Sequence, residues 1–130
     1  MAAPHPLDPL SADEIARAVA CVRGAHSLDE HWRFGFIGLE EPAKAELSAW
    51  QPGGSIDRRC KAIAWDRRSG EVSEAIVNLS AGAVESWTHV PGVQPSFTHD
   101  EYGDAAAMLK AHPEMQAARW SARAMRSKKA

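Results

Sequence analysis

A well-marked helix start near the N-terminus narrows the possible folds of this chain more than any other segment. Ser11 is followed three residues later by Glu14, the spacing of a capping box in which each side chain accepts a hydrogen bond from the other residue's backbone N–H. We therefore expect a helix to begin at Ser11 or Ala12 and to end at Gly24, a favoured C-terminal cap. Its apolar stripe, at helical spacing, comprises Ile15, Val19 and Val22.

The next segment has the alternating pattern of a β-strand. Trp32, Phe34 and Phe36 alternate with smaller or polar residues, which predicts one aromatic face, and Pro42 closes the strand. Residues 43–50 have the composition of a short helix, but Pro52 and the two glycines after it break regular structure. We expect residues 42–55 to form a flexible connector.

A hairpin and a further strand follow the connector. Residues 59–65 and 71–79 flank a polar loop that ends in Gly70, where a hairpin favours a glycine in the left-handed conformation. Residues 80–82 form a second tight turn. In the last strand, residues 83–90, Val84 and Trp87 are predicted to lie on opposite faces.

Two prolines end the predicted sheet. Pro91 and Pro95 lack the N–H that a central strand needs, so residues 91–95 are expected to be a linker. Thr98 and Glu101 form another capping box and predict a helix. Pro113 starts one more helix, which extends toward Met125.

These elements predict an α+β fold. One N-terminal helix packs on a four-stranded antiparallel meander sheet, a cystatin-like arrangement, and C-terminal helices follow. The main core candidates are Trp32, Phe34, Phe36, Ile63, Trp65, Ile76 and Val84.

Composition excludes several classes of protein. The chain has 130 residues, the size of one ordinary domain, and no apolar stretch approaches the roughly 20 residues that span a bilayer. The N-terminus lacks the pattern of a secretory signal, so a cytoplasmic location is expected. The net charge is −2, and basic residues collect only at the end. We interpret residues 119–129 as a solvated tail and expect no nucleic-acid partner.

The thiols and imidazoles do not have the spacing of a metal site. Cys21 and Cys60 lack a CxxC arrangement and are expected to be buried free thiols. No two histidines have the short spacing that brings two imidazoles to one ion. We predict that all six histidines are surface or capping residues. They are His5, His26, His31, His89, His99 and His112.

Five segments, taken in order, carry a family resemblance. They are residues 6–11 (PLDPLS), 31–42 (HWRFGFIGLEEP), 59–66 (RCKAIAWD), 71–79 (EVSEAIVNL) and 97–102 (FTHDEY). Together they resemble the first of the small N-terminal domains of copper-containing primary-amine oxidases, over about residues 5–118. In these enzymes the domain packs outside the catalytic body and can shape substrate access.

The resemblance implies no catalytic role for this chain. The family holds copper with three histidines and makes topaquinone from a tyrosine in an Asn-Tyr-Asp/Glu motif, all in a large C-terminal catalytic domain. That motif does not occur here: Tyr102, the single tyrosine, lies in a DEYGD segment and is expected to pack partly on the core. We transfer no catalytic, cofactor-binding or metal-binding residue. Copper and topaquinone are implied only for a full-length member.

The resemblance also predicts how the chain is divided. Residues 1–95 are expected to form the α+β domain of amine-oxidase type, and residues 96–130 a helical extension that resembles a truncated start of the next domain. The predicted function is that of a non-catalytic accessory domain or fragment of a primary-amine oxidase, inactive alone, with the catalytic domain or its own copies as partner. The alternative is a standalone protein-interaction module anchored by Trp50, Trp87 or Trp120.

Overall fold

The computed structural model describes residues 5–127, with side chains as far as residue 121. The chain divides into two compact units, the first ending at Ser96 and the second beginning at Phe97. The predicted α+β fold class is confirmed. The elements are α1 (Ala12–His26), β1 (Trp32–Glu40), α2 (Lys44–Ala49), β2 (Arg59–Asp66), β3 (Val72–Asn78), β4 (Ala83–His89), α3 (His99–Ala111) and α4 (Pro113–Ser127).

Helix α1 begins at the predicted capping box. The Glu14 backbone N–H donates to Ser11 Oγ at 3.2 Å, and the Ser11 N–H donates to Glu14 Oε2 at 2.8 Å. The predicted end at Gly24 is wrong, because the helix continues to His26. Ser27 takes the left-handed conformation instead, with φ of 50°. Its N–H satisfies the Arg23 carbonyl, so the cap does not need a glycine.

The four strands form one antiparallel sheet in the order β1-β2-β3-β4, as predicted for a meander. Gly70, in the β2–β3 turn, has φ of 74°, and Gly82, in the β3–β4 turn, has φ of 67°. Both angles lie in the left-handed region that favours glycine. The hairpin signal in the sequence is therefore confirmed.

The core lies between α1 and one face of the sheet. Small residues on this face, such as Ala62 and Ala75, allow the helix to approach the strands closely. The buried cluster consists of Ala18, Val22, Cys60, Ala62, Ala75, Val77 and Leu79. None of the seven predicted core candidates is fully buried, although Phe34 and Val84 pack against the cluster. In β2 the alternation places Ala62 toward α1 and Ile63 on the other face.

Two shifts in strand register explain why the faces predicted for side chains of β1 and β4 are wrong. The β1–β2 register shifts between Phe34 and Phe36, so Phe36 lies on the face opposite to Phe34 and is 50% exposed. The β3–β4 register shifts between Ile76 and Val77, and consequently Val84 and Trp87 both pack against the core. An extra residue in one strand reverses the face of every side chain after it.

The segment between β1 and β2 is not the flexible connector that was predicted. Lys44–Ala49 forms the short helix α2. The Glu46 carboxylate accepts a hydrogen bond from the Ala43 N–H at 3.2 Å, which caps the helix. The Trp50 indole N–H donates to the Gly54 carbonyl at 2.9 Å and stabilises the turn that follows.

The second unit is a pair of helices, as predicted. At the start of α3 the Glu101 carboxylate accepts hydrogen bonds from the Thr98 N–H at 2.6 Å and from the Thr98 hydroxyl at 2.9 Å. The predicted packing of Tyr102 on a core is wrong: its side chain is 67% exposed and lies beside the Phe97 ring, 6.1 Å between centroids. No residue of α3 is buried.

Among residues 5–127, no helix is long and apolar enough to cross a membrane.

Candidate functional site

The guanidinium of Arg58, just before β2, has several protein partners. Arg58 Nε donates to Glu14 Oε1 at 2.6 Å, and its Nη2 donates to the carbonyls of Asp8 at 3.0 Å and Pro9 at 3.3 Å. The Arg58 and Glu14 side chains are only 13% and 15% exposed. This group fastens the N-terminal lead-in to α1 and to the segment before β2.

The charge state of Glu14 follows from this contact. The hydrogen bond from Arg58, assisted by those of Ser11, lowers the Glu14 pKa to about 2 against the opposing effect of burial. The carboxyl is therefore ionised at neutral pH. A carboxylate held in this way serves the structure and is not available as a general acid.

A second polar cluster joins the turn after β3 to the start of β2. The Asn78 amide donates to Asp57 Oδ2 at 3.1 Å and to Glu85 Oε1 at 2.9 Å. Arg59 Nε donates to Glu85 Oε2 at 2.8 Å, and this hydrogen bond is the main cause of the lowered Glu85 pKa. The carboxylates are thus matched by donors of the same domain.

A third cluster closes the β2–β3 turn. Asp66, which is 8% exposed, accepts from the Arg68 N–H at 2.9 Å and from the Ser69 hydroxyl at 3.2 Å. These donors, chiefly the Arg68 backbone, lower the Asp66 pKa. The spacing of Asp, Ser and Gly in this turn is the signal by which sequence reasoning could have found it. Arg58 carries no comparable local signal, because its partners lie far away along the chain.

The histidines of the first unit lie in separate environments. His26 stacks on Trp87 with 4.2 Å between ring centroids, whereas His5 packs edge-on against Trp50 at 4.8 Å. His89 lies 3.3 Å from a carboxylate oxygen of Glu71. In the described part of the chain, no group of three or more His, Cys, Asp or Glu side chains is placed to hold a metal ion.

The two thiols are free, as predicted. Cys60 is fully buried in the core, and burial raises its pKa. Cys21 is partly buried, and its Sγ lies 3.4 Å from the Gly82 carbonyl. A thiol with a raised pKa is a poor nucleophile.

The predicted aromatic anchors differ in exposure. Trp87 packs against the core and Trp50 is partly buried, so neither projects freely into solvent. Trp120, on α4, is 74% exposed. Of the basic tail that begins at Arg119, the side chains from residue 122 onward lie outside the described residues.

Fold and clusters together define a small α+β domain in which the clustered polar groups serve the domain's own structure. Residues 11–87 match the family model described as the AGAO-like N2 domain. The chain is 40% identical over 115 residues to the primary amine oxidase of Arthrobacter sp. (strain P1), a match that covers 88% of this chain and 17% of that protein.

Two eukaryotic relatives give the same result. Copper amine oxidase 1 of Schizosaccharomyces pombe is 32% identical, with 83% of this chain and 16% of the relative covered. The copper-containing diamine oxidase 1 of Nicotiana tabacum, named as peroxisomal, is 34% identical, with 84% and 18% covered. The chain belongs to the copper amine oxidase family, as an N-terminal domain of such an enzyme, and spans about one sixth of the length of these relatives.

Proposed function

We propose that this chain is a non-catalytic accessory domain of a copper and topaquinone primary-amine oxidase and associates with the catalytic part of that enzyme. The observation that carries the proposal is the family match to an N2 domain over residues 11–87, in a chain that covers 17% of its bacterial relative. The clustered carboxylates and guanidinium groups described above bind one another, which suits a structural role.

The whole enzyme would convert a primary amine, water and oxygen into an aldehyde, ammonia and hydrogen peroxide. Copper and topaquinone belong to the catalytic part in this proposal, and no residue of this chain is assigned to them. We further propose that residues 1–95 act as the accessory domain and residues 96–130 as the start of the next one.

An oxidase chimera tests the proposal. In it, the matching 115-residue segment of the Arthrobacter sp. (strain P1) primary amine oxidase is replaced by that of this chain. Because an equally similar relative from the same strain is named copper methylamine oxidase, we expect methylamine-dependent peroxide production from the chimera, and none from the isolated chain. Peroxide production by the isolated chain would contradict the proposal. The proposal would also be contradicted if a protease digested the inserted segment as fast as it digests the free chain.

The second candidate is a self-associating interaction module. It is favoured by the exposed apolar side chains of the second unit, which include Met108 at 75% and Trp120 at 74% exposure. Size-exclusion chromatography of the chain and of Trp120→Ala separates the two functions. A dimer that Trp120→Ala abolishes favours the module, whereas a monomer indifferent to the change favours the accessory domain. Trp87→Ala is the matched aromatic variant, at a site that packs on the core.

A cytoplasmic location is part of the proposal. Its support is the pair of free thiols, Cys21 and Cys60, which fit a reducing compartment.

A further inference from the structure

The two faces of the sheet differ in what covers them. Cys60, Ala62 and Ala64 of β2 are buried, and the first two belong to the core beneath α1. Ile63 alternates with them, so it lies on the other face and is only partly buried. The register places Phe36 of β1 beside Ile63, and Ile76 of β3 beside Lys61, on that same face.

Part of this second face is covered by the chain that follows β4. A Cβ on Gly35 would stand 2.9 Å from Pro95 Cβ, so Pro95 lies against β1. Gly35 is the extra residue of the β1 bulge, so alternation does not give its face. The burial of Val72 on the second face indicates that Pro95 lies there. β4 and β1 are opposite edges of the sheet, and residues 90–95 must therefore cross it. Val72, on this face, is 3% exposed.

Phe36 lies beyond this crossing segment and keeps 50% of its surface in solvent. A Cβ on Gly38 would stand 2.5 Å from Phe36 Cζ, which means that the ring lies flat along β1 over Gly38. The bulge turns the side chain to this face, and a glycine two residues later makes room for it. An aromatic ring held flat and half exposed on a strand is a surface for apolar contact.

Paired charges border the ring. Lys61 Nζ lies 3.2 Å from Glu74 Oε2, with side-chain exposures of 35% and 41%. Farther along the strands, Arg59 Nε lies 2.8 Å from Glu85 Oε2. We name Phe36, Ile63, Ile76 and these two ion pairs the open face. Its centre is apolar and each of its two cations is paired with a carboxylate, which resembles an apolar interface core with a polar rim.

We infer that the open face is the surface through which this domain docks on the remaining part of an amine-oxidase polypeptide. The inference rests on the proposed function and assigns its contact surface. The occupant is a folded, largely uncharged surface of the oxidase that places an aliphatic or aromatic side chain on Phe36. The relative is about six times as long as the matched segment, which covers 17% of it, and this supplies ample chain for the contact. Because both cations of the border already have carboxylate partners, a strongly acidic occupant is disfavoured.

The test compares the surface of the isolated chain with that in the oxidase chimera. Hydroxyl-radical footprinting measures the oxidation rate of Phe36 on the open face and of Leu7, which is 41% exposed in the lead-in before α1. We expect Phe36 oxidation to fall by at least about fivefold in the chimera, as for a side chain at the desolvated centre of an interface. Leu7 is expected to keep its rate.

Each other outcome has a distinct meaning. If Leu7 becomes protected and Phe36 does not, docking occurs on another surface: the inference is overturned and the proposed function stands. If neither is protected, the inference is overturned, and the digestion rate of the inserted segment then decides whether the proposed function stands. If Phe36 is already protected in the isolated chain at high concentration, in step with dimer formation, the occupant is a second copy, which also overturns the inference.

Variants of the chimera give a second measurement. Phe36→Lys should speed proteolytic release of the inserted segment by about tenfold, the effect of losing one interface hot spot. Ile15→Lys, at an exposed site on α1, should leave the release rate unchanged. Faster release from the Ile15→Lys chimera than from the Phe36→Lys chimera would contradict the inference. If the chimera does not fold, footprinting of the unaltered Arthrobacter enzyme at the positions aligned with Phe36 and Leu7 decides the same question.

Discussion

Single side chains hold the first unit together at points that are distant in sequence. Arg58 binds the Glu14 carboxylate and the carbonyls of the lead-in with one guanidinium. Because both side chains are largely buried, either one left without its partner would be an uncompensated charge. The pair therefore contributes more than an exposed ion pair does.

Glu14→Gln tests this contribution through its pH dependence. The folded-state pKa of about 2 lies below the ordinary value of 4.5, so the stabilisation is present above pH 4.5 and is lost as the pH falls toward 2. We expect Glu14→Gln to lower the free energy of unfolding by about 2 kcal/mol at pH 7 and by much less near pH 2.

Urea titrations from pH 7 to pH 2 provide the measurement. Asp13→Asn, which removes an exposed acid from the same helical turn, is the control and should change stability little. A difference between wild type and Glu14→Gln that stays constant over this range would refute the assigned role of Glu14.

Truncating a side chain should cost more stability on the face of the sheet under α1 than on the opposite face. Val77 is 1% exposed under α1, so Val77→Ala leaves a cavity and should lower the free energy of unfolding by about 2 kcal/mol. Phe36→Ala deletes a larger group but should cost less than about 1 kcal/mol in the isolated chain, since half of the ring is already in water. If chemical denaturation showed equal losses of unfolding free energy for the two variants, the core would not lie between α1 and the sheet as described.

Among the helices and turns, Gly24 and Gly70 have equal space around them but should respond in opposite ways to substitution by alanine. Gly24 lies within α1, and a Cβ there would meet no atom within 4 Å apart from the nearby backbone of its own helix. Gly70 has equal space, but its φ of 74° is strained for any residue with a side chain. Space alone therefore does not decide the effect of adding a methyl group.

We expect Gly24→Ala to raise the free energy of unfolding by about 0.5–1 kcal/mol, because alanine has less conformational entropy to lose in a helix. Gly70→Ala should lower it by about 1 kcal/mol, because the hairpin turn needs a positive φ. Thermal unfolding followed by circular dichroism measures both. A destabilised Gly24→Ala variant would show that α1 ends at Gly24 after all.

At the scale of the whole molecule, the two units differ in how they are stabilised. The first has a buried cluster between helix and sheet, whereas α3 buries no residue. Isolated helices of about 12–15 residues are only marginally stable in water. Hydrogen exchange of the full chain should therefore be roughly a hundredfold or more faster in α3 than in β2 and β3. Protection of α3 equal to that of β3 would contradict this expectation.

The open face is the whole-molecule feature that links fold to function. An α+β layer with one helix covers one side of its sheet, and the other side remains for a partner. In this chain residues 90–95 cover one end of that side and Phe36 lies at the uncovered end. The footprinting experiment asks what the domain contacts through this side of the sheet in an oxidase.

Much of the fold could be predicted because its signals are local. The Ser11–Glu14 box, Gly70 in its turn and each of the five segments that carry the family resemblance depend on residues close together in the chain. The packing of the core and the ion pair between Arg58 and Glu14 depend on contacts between residues that are distant in sequence. Side-chain alternation predicts two faces for each strand but does not say which one the helix covers.

The sequence alone therefore determined the order and type of the main elements, the four-stranded meander and the family. Tertiary structure decided the core, because small residues such as Ala62 and Ala75 admit α1 where larger side chains on the other face would hold it away. It also decided the face of Phe36, because a bulge depends on how two strands pair and reverses every position after it.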